Sequence, residues 1–242
     1  MDKIYEGTLV CQTNGISKKF QVKKLNQRHI SEILQVQSIV LENEQVKESL
    51  EPLTEEEIRH IFNDMGHIIG VFVKNCLIAF RALLYPGDNM ENLGSDLDLT
   101  KDEQMKVIHL EITCVIPKYR GNGLQKILGN ILMKEFIQSS INHRYLCCTV
   151  SPNNFPSLKD KLIQGMHIVK LKKKYSGGIR YILLKDLHTQ MKIREDTIIS
   201  VSSNDFEQQH QLLENGFAGF NLIENKLEKK IVFGKSKDET LE

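Results

Sequence analysis

His109-Leu-Glu-Ile-Thr-Cys-Val-Ile-Pro-Lys-Tyr-Arg-Gly-Asn-Gly-Leu-Gln125 joins two kinds of local order in one short stretch. Its first half is apolar and β-branched, the composition of a buried strand, and Pro117 stops it. Its second half is a basic, glycine-containing turn. That turn opens a helix expected over 122–138, with Leu124, Ile127, Leu128, Ile131 and Leu132 on one side. A turn of this kind offers backbone amides at the positive end of a helix dipole. Gly121 and Gly123 permit unusual dihedrals and close approach, and Arg120 adds a forked cation. Physically this is an anion cradle suited to a diphosphate. The glycine spacing fits neither Gly-x-Gly-x-x-Gly nor the Walker lysine pattern. On the glycines alone, a plain strand-to-helix connection with a solvated arginine is the better account.

The flanking sequence supplies the rest of a sheet. Upstream, 20–25 reads as a strand, and Asn26 as the cap of a helix with Ile30, Ile33, Leu34, Val40 and Leu41 as its stripe. Thr54-Glu55-Glu56-Glu57 is a capping box ahead of a short helix carrying Ile58, Ile61 and Phe62. Two apolar runs, 67–73 and 76–85, meet at Lys74-Asn75 as a tight hairpin. Residues 86–104 read as an acidic loop, with Asp88, Glu91, Asp96, Asp98, Asp102 and Glu103 against Lys101. Strand 106–116 follows. Downstream come strand 144–151, helix 155–164, and a hairpin of 166–173 with 179–187 turning at Ser176-Gly177-Gly178. The order is β-α-α-β-β-β-α-β-α-β-β. A strand, a crossover helix and a second strand in its middle imply one parallel pair inside a mixed, mostly antiparallel sheet of α/β class.

The tail repeats part of this. With an offset of 51, Val150, Ser151, Asn153, Phe155, Leu162 and Gly165 meet Val201, Ser202, Asn204, Phe206, Leu213 and Gly216. Ordinary composition would give roughly one identity in such a window. Residues 197–234 therefore read as a further strand–helix–hairpin unit, or as coincidence between two similar turns. The run 4–11 is a candidate strand for the same annex. The expected domains are an N-terminal arm over 1–17, a main domain over 18–188, and an extension over 189–242 that partly repeats 147–187.

Composition narrows the function classes. Of 242 residues, 40% are hydrophobic and 26% charged, as in ordinary globular proteins, and one sizeable core is feasible. The net charge of +1 provides no bulk attraction to nucleic acid or to a membrane surface. The longest apolar run, 68–73, is too short to span a bilayer, and the first residues lack the pattern of a signal peptide. Five scattered cysteines without a Cys-x-x-Cys pair, and histidines never at metal-binding spacing, give no metal site and suggest reduced thiols. A cytoplasmic location is the expectation.

The run Val-x-Pro-x-Tyr-Arg-Gly-x-Gly-Leu after a fourth core strand resembles the acyl-CoA signature of the GNAT superfamily of N-acyltransferases. The element order over 18–188 resembles that fold, and Asn154, Ser157 and Gly165 stand at the spacing of its Asn-x-x-Ala/Ser…Gly-Phe element. The resemblance implies acetyl-CoA as co-substrate, with its diphosphate on Arg120, Gly121, Asn122, Gly123, Leu124 and Gln125. It implies pantetheine running between the two parallel strands and pairing with Cys114, Val115 and Ile116, the Val115 amide polarising the thioester carbonyl. Asn154 and Ser157 would meet the far side of the pantetheine. One departure is Gln125, where the family's Arg-x-x-Gly-x-Gly/Ala pattern has a small residue. A second is Lys161, where many members carry a tyrosine as general acid. Tyr175 is a weak substitute.

Glu111 is the candidate base. Strict alternation puts His109, Glu111, Thr113 and Val115 on one face of the strand. A carboxylate on a covered central strand asks for a reason: a paired lysine or arginine, or chemistry. A primary amine must lose its proton to attack, which costs roughly 4–5 kcal/mol at pH 7, and a carboxylate can take it. His109 is the back-up. Cys114 reads as a buried structural thiol. The expected function is acetyl transfer from acetyl-CoA to a small-molecule or peptide amine by direct attack, in a protein for which a homodimer is allowed. The other readings are an acyl-CoA-binding sensor without turnover and a nucleotide-binding α/β protein. The acidic loop and the run Lys172, Lys173 and Lys174 read as solvated surface.

Overall fold

A computed structural model describes residues 3–43, 50–137, 142–174, 177–225 and 228–237, and among these described residues the apolar runs and their turn residues place eleven strands. The strands are β1 (Lys3–Val10), β2 (Ser17–Lys24), β3 (Gly66–Val73), β4 (Cys76–Leu84), β5 (Val107–Val115), β6 (Tyr145–Val150), β7 (His167–Lys174), β8 (Gly178–Asp186), β9 (Ile199–Ser202), β10 (Phe217–Glu224) and β11 (Lys229–Lys235). The helices are α1 (Ile30–Glu42), α2 (Glu55–His60), α3 (Leu93–Asp96), α4 (Lys101–Gln104), α5 (Leu124–Leu132), α6 (Phe155–Ile163) and α7 (Phe206–Glu214). Two units emerge: Met1–Pro86 with His109–Asn142, and Gly87–Ile108 with His143–Glu242. Among the described residues, no helix is long and apolar enough to cross a membrane.

In the first unit, β1 to β5 pair in sequence order, each antiparallel to the next. Lys74 and Asn75 both take positive φ (50° and 63°), the conformation a two-residue hairpin needs to follow the strand twist. The Thr54 capping box forms as expected: the Glu57 amide donates to Thr54 Oγ1 at 3.2 Å and the Thr54 amide to Glu57 Oε2 at 2.7 Å. Asn26 caps a 3-10 turn, Gln27–His29, ahead of α1. Val36 and Gln37 join Ile30, Ile33 and Val40 in the buried stripe of α1, and Leu34, half-buried, packs against the same core as expected. Gln37 tolerates burial because its side-chain amide exchanges two 2.9 Å hydrogen bonds with the Leu53 backbone. Ile33, Ile58, Ile68, Phe80, Ile112 and Cys114 fuse α1, α2 and one sheet face into a core. The run expected to join the tail instead forms β1 on the edge of β2.

In the second unit the strand order is β6-β8-β7-β10-β11-β9. Val107 and Ile108, which open β5, belong here, and the Lys106 carbonyl accepts from the Arg144 and Tyr145 amides at 2.9 and 3.1 Å. β5 and β6 thus start side by side as the expected parallel pair in an otherwise antiparallel mixed sheet. The acidic segment is more ordered than a loop. Asn92, buried, donates to the Gly87 and Gln104 carbonyls and accepts from Gly94, which organises α3 and α4. The lysine run is not merely solvated either: Lys172 (2.6 Å) and Lys174 both pair with the buried carboxylate of Asp96. The tail carries the same elements as the segment it resembles. Asn154 and Asp205 cap α6 and α7, and Gly165 and Gly216 follow them at φ +79° and +77°.

Candidate active site

The bend after β5 is built by its sequence. Pro117–Tyr119 makes a 3-10 turn, Arg120 is extended (φ −61°, ψ 165°), and Gly121 (φ +77°) and Gly123 (φ +67°) take the left-handed region. Gly123 is the N-cap of α5 and brings no capping side chain. The helix therefore opens on backbone amides alone, at the positive end of its dipole. The Arg120 side chain is exposed, with its Nε 3.4 Å from the Val115 carbonyl. Beneath the first turn of α5, Arg81 of β4 is wholly buried and its Nη1 donates to the Gln125 carbonyl at 3.2 Å. That buried cation adds to the positive potential of the bend. Its signal in the sequence is an arginine inside the apolar strand Cys-Leu-Ile-Ala-Phe-Arg-Ala-Leu-Leu.

The carbonyl side of the bend is held by the tip of the β1–β2 hairpin. The Gln12 amide donates to the Lys118 carbonyl at 2.9 Å, and Gln12 Nε2 to the Arg120 carbonyl at 2.7 Å. Asn122 Oδ1 accepts from the Val10 amide at 2.7 Å and its Nδ2 donates to the Val10 carbonyl at 2.9 Å. Sequence reasoning had no means of seeing these contacts, which join positions more than a hundred residues apart.

The register of β5 revises the face assignment. Leu84 pairs with His109 and Leu83 with Leu110, but Arg81 pairs with Thr113, so β5 has one extra residue opposite Ala82. The bulge breaks the alternation. His109 lies across from Leu84 on the α1 side, and Glu111 is turned to join it, with Glu111 Oε1 3.4 Å from His109 Nδ1. Thr113 and Val115 sit on the opposite face with Arg81. The side chains of His109 and Glu111 are 8% and 25% exposed, so Glu111 keeps solvent access while its neighbour is buried. Beyond the bulge, the Ile116 amide donates to the Ile78 carbonyl at 3.0 Å. Antiparallel geometry then makes Ala79 and Val115 a non-hydrogen-bonded pair, so the Val115 amide and carbonyl point away from β4. Cys114 is buried in the core.

In the second unit, Asn154 Oδ1 accepts from the Ser157 amide at 3.1 Å as the N-cap of α6, and both residues are partly exposed. Lys161, at the position where many members carry a tyrosine, is 3% exposed, with Nζ 3.7 Å from Asp160 Oδ2. Tyr175 lies outside the described residues. Among the described residues, no cluster of histidine, cysteine, aspartate and glutamate could hold a metal.

No protein-family model and no curated protein sequence matches the chain. Solved structures do. An N-acetyltransferase from Staphylococcus aureus Mu50 aligns at a TM-score of 0.53 and 17% identity, covering 70% of this chain and 99% of its own. An acetyltransferase of the GNAT family from Streptococcus pneumoniae gives 0.53 and 16%, covering 69% and 98%. The ribosomal-protein-S5-alanine acetyltransferase from Vibrio fischeri gives 0.51 and 12%, covering 72% and 96%. At such identities the likeness is one of fold.

Proposed function

We propose that this chain, which has the fold of the GNAT superfamily of N-acetyltransferases, transfers the acetyl group of acetyl-CoA to an amine. The observation that carries the reading is the bend: two left-handed glycines opening α5 on backbone amides, an exposed Arg120, and the carbonyls turned to the other side. Arg120 and the backbone of Gly121, Asn122, Gly123, Leu124 and Gln125 hold the diphosphate. Cys114, Val115 and Ile116 line the pantetheine, and the outward Val115 amide donates to the thioester oxygen as charge develops there.

Glu111 takes the proton of the attacking amine, directly or through a water, with His109 beside it. The amine nitrogen then bonds to the acetyl carbon, the carbon–sulfur bond breaks, and the thiolate leaves. A free thiol has a pKa near about 8.5, so departure without a tyrosine donor is feasible. The acceptor is a small-molecule or peptide amine. In this reading 18–188 is the acyltransferase domain, 1–17 an arm and 189–242 an extension, working in a reducing, cytoplasmic setting without a metal.

The test is release of free thiol from acetyl-CoA across a panel of amines, with thermal unfolding in CoA, ATP and NAD alongside. Stabilisation by CoA with amine-dependent thiol release supports the reading. Stabilisation by CoA with no release from any amine favours an acyl-CoA sensor. Stabilisation only by ATP or NAD rejects the cofactor.

A further inference from the structure

The Arg120–Gly121 peptide is the hinge of the bend. An extended residue followed by a left-handed glycine is the arrangement of a type II turn, and rotating the central peptide converts it toward type I. In a planar trans peptide the carbonyl and the following amide point in opposite directions. Which way the Arg120 carbonyl faces therefore decides which way the Gly121 amide faces. Glycine at 121 makes both orientations accessible; inside the bend Asn122 Nδ2 reaches the Arg120 carbonyl at 3.3 Å, and the shorter contact to that carbonyl, 2.7 Å, comes from outside it.

We propose that the β1–β2 hairpin makes that choice, and that Gln12 is a positioning residue for the diphosphate cradle. This rests on the CoA reading above. Gln12 Nε2 grips the Arg120 carbonyl at 2.7 Å while its own amide holds the Lys118 carbonyl at 2.9 Å. Asn122 completes the clasp from the bend side: its Oδ1 and Nδ2 both engage the Val10 backbone, and Nδ2 also reaches the Tyr119 carbonyl at 3.0 Å. With these acceptors satisfied on the hairpin side, the Gly121 amide is turned away from the hairpin. The clasp is itself preorganised. The Cys11 amide donates to the Ile16 carbonyl at 3.0 Å, the Gly15 amide to the Cys11 carbonyl at 2.8 Å, and Gly15 takes φ +66°, so the tip closes on its own backbone. The arm thus sets anion affinity without touching the anion.

The test measures dissociation constants for CoA and for pantetheine, which lacks the diphosphate, in the full chain and in Gln12→Met and Gln12→Glu. Methionine keeps the length and loses the donor. Glutamate keeps the shape and can only accept. Losing one such hydrogen bond should weaken CoA about three- to tenfold in Gln12→Met, and at least as much in Gln12→Glu, with pantetheine unchanged. A merely structural role would weaken both ligands together, and that result overturns the proposal. So does unchanged CoA affinity in both variants when the wild-type chain binds CoA. If Gln12→Met loses its thermal unfolding transition, Gln12→Glu decides by the same comparison. A wild-type chain that shows no saturable CoA binding removes the cofactor reading itself, a failure distinct from the other two.

Discussion

The two bend glycines share a backbone conformation but not surroundings, which allows strain and contact to be separated. A side chain at either position meets the left-handed penalty, about 1–2 kcal/mol. Around Gly123 nothing lies within 4 Å of an added Cβ, so Gly123→Ala should cost only that. At Gly121 an added Cβ would fall 2.6 Å from Gln12 Nε2, the flexible end of a side chain that must move and release the Arg120 carbonyl. That adds about 1 kcal/mol, near fivefold in an equilibrium constant. The penalty divides between two readouts. If the bend keeps its shape, the strain lowers unfolding free energy; if the bend relaxes, CoA binding must restore the strained form and affinity falls. The quantity to compare is therefore the sum of the losses in unfolding free energy and in CoA binding free energy, from denaturant titration and calorimetry. The sum should be about 1 kcal/mol larger for Gly121→Ala. In a Gln12→Ala background the two substitutions should become equal, a double-mutant test of the contact. A larger loss at Gly123, or a difference that survives Gln12→Ala, refutes the reasoning.

Further outcomes follow from other residues. Arg120→Ala should raise the acetyl-CoA KM strongly with the unfolding midpoint unchanged, since the side chain is exposed; an unchanged KM removes it from the cradle. Glu111→Gln should lower turnover by about a hundredfold or more, most severely at low pH where amine deprotonation is hardest, and equal rates across pH would discard it as the base. Burial, reinforced by Lys24, holds the His67 imidazole at about 4. The unfolded chain takes up that proton near about 6.5, so stability should fall as pH drops from about 6.5 to 4. His67→Phe, which preserves stacking on Phe136, should lessen the fall, and an identical pH profile would contradict the assignment. In the second unit, buried Tyr181 donates to Gln209 Oε1 at 2.6 Å while Gln209 Nε2 donates to the Ser202 carbonyl at 2.7 Å. Gln209→Ala should cost about 1–3 kcal/mol by orphaning the buried Tyr181 hydroxyl, while the Ser202 carbonyl keeps the Asp205 amide at 3.1 Å. A loss under about 0.5 kcal/mol would mean that the tail is not anchored there.

What the sequence disclosed was local. The capping box at Thr54, the Lys74-Asn75 turn, and the strand, bend and helix around Pro117 are each specified by neighbours in the chain, and each stands where expected. What it hid depends on pairing partners. The bulge that brings Glu111 beside His109 exists only in the register of β5 against β4, so alternation within one strand misplaced the candidate base relative to Thr113 and Val115. The partner of β1 was misassigned because an orphan strand carries no address, and the actual pairing is with its immediate successor. The order in Gly87–Ile108 arises from one buried asparagine and from lysines on β7, a network of side chains that charge counting read as solvation. Arg81 is legible as a break in an apolar run, while its partner, the Gln125 carbonyl, is set by the fold.

The central claim is that the bend between Pro117 and α5 holds the diphosphate of CoA. Titration of nitrogen-15-labelled protein with CoA, followed at the amides of Gly121, Gly123 and Leu124, tests it most directly. The account predicts saturable shifts at these amides with CoA that ATP and NAD do not reproduce at the same concentration. Saturation elsewhere in the chain with these amides unmoved would contradict it.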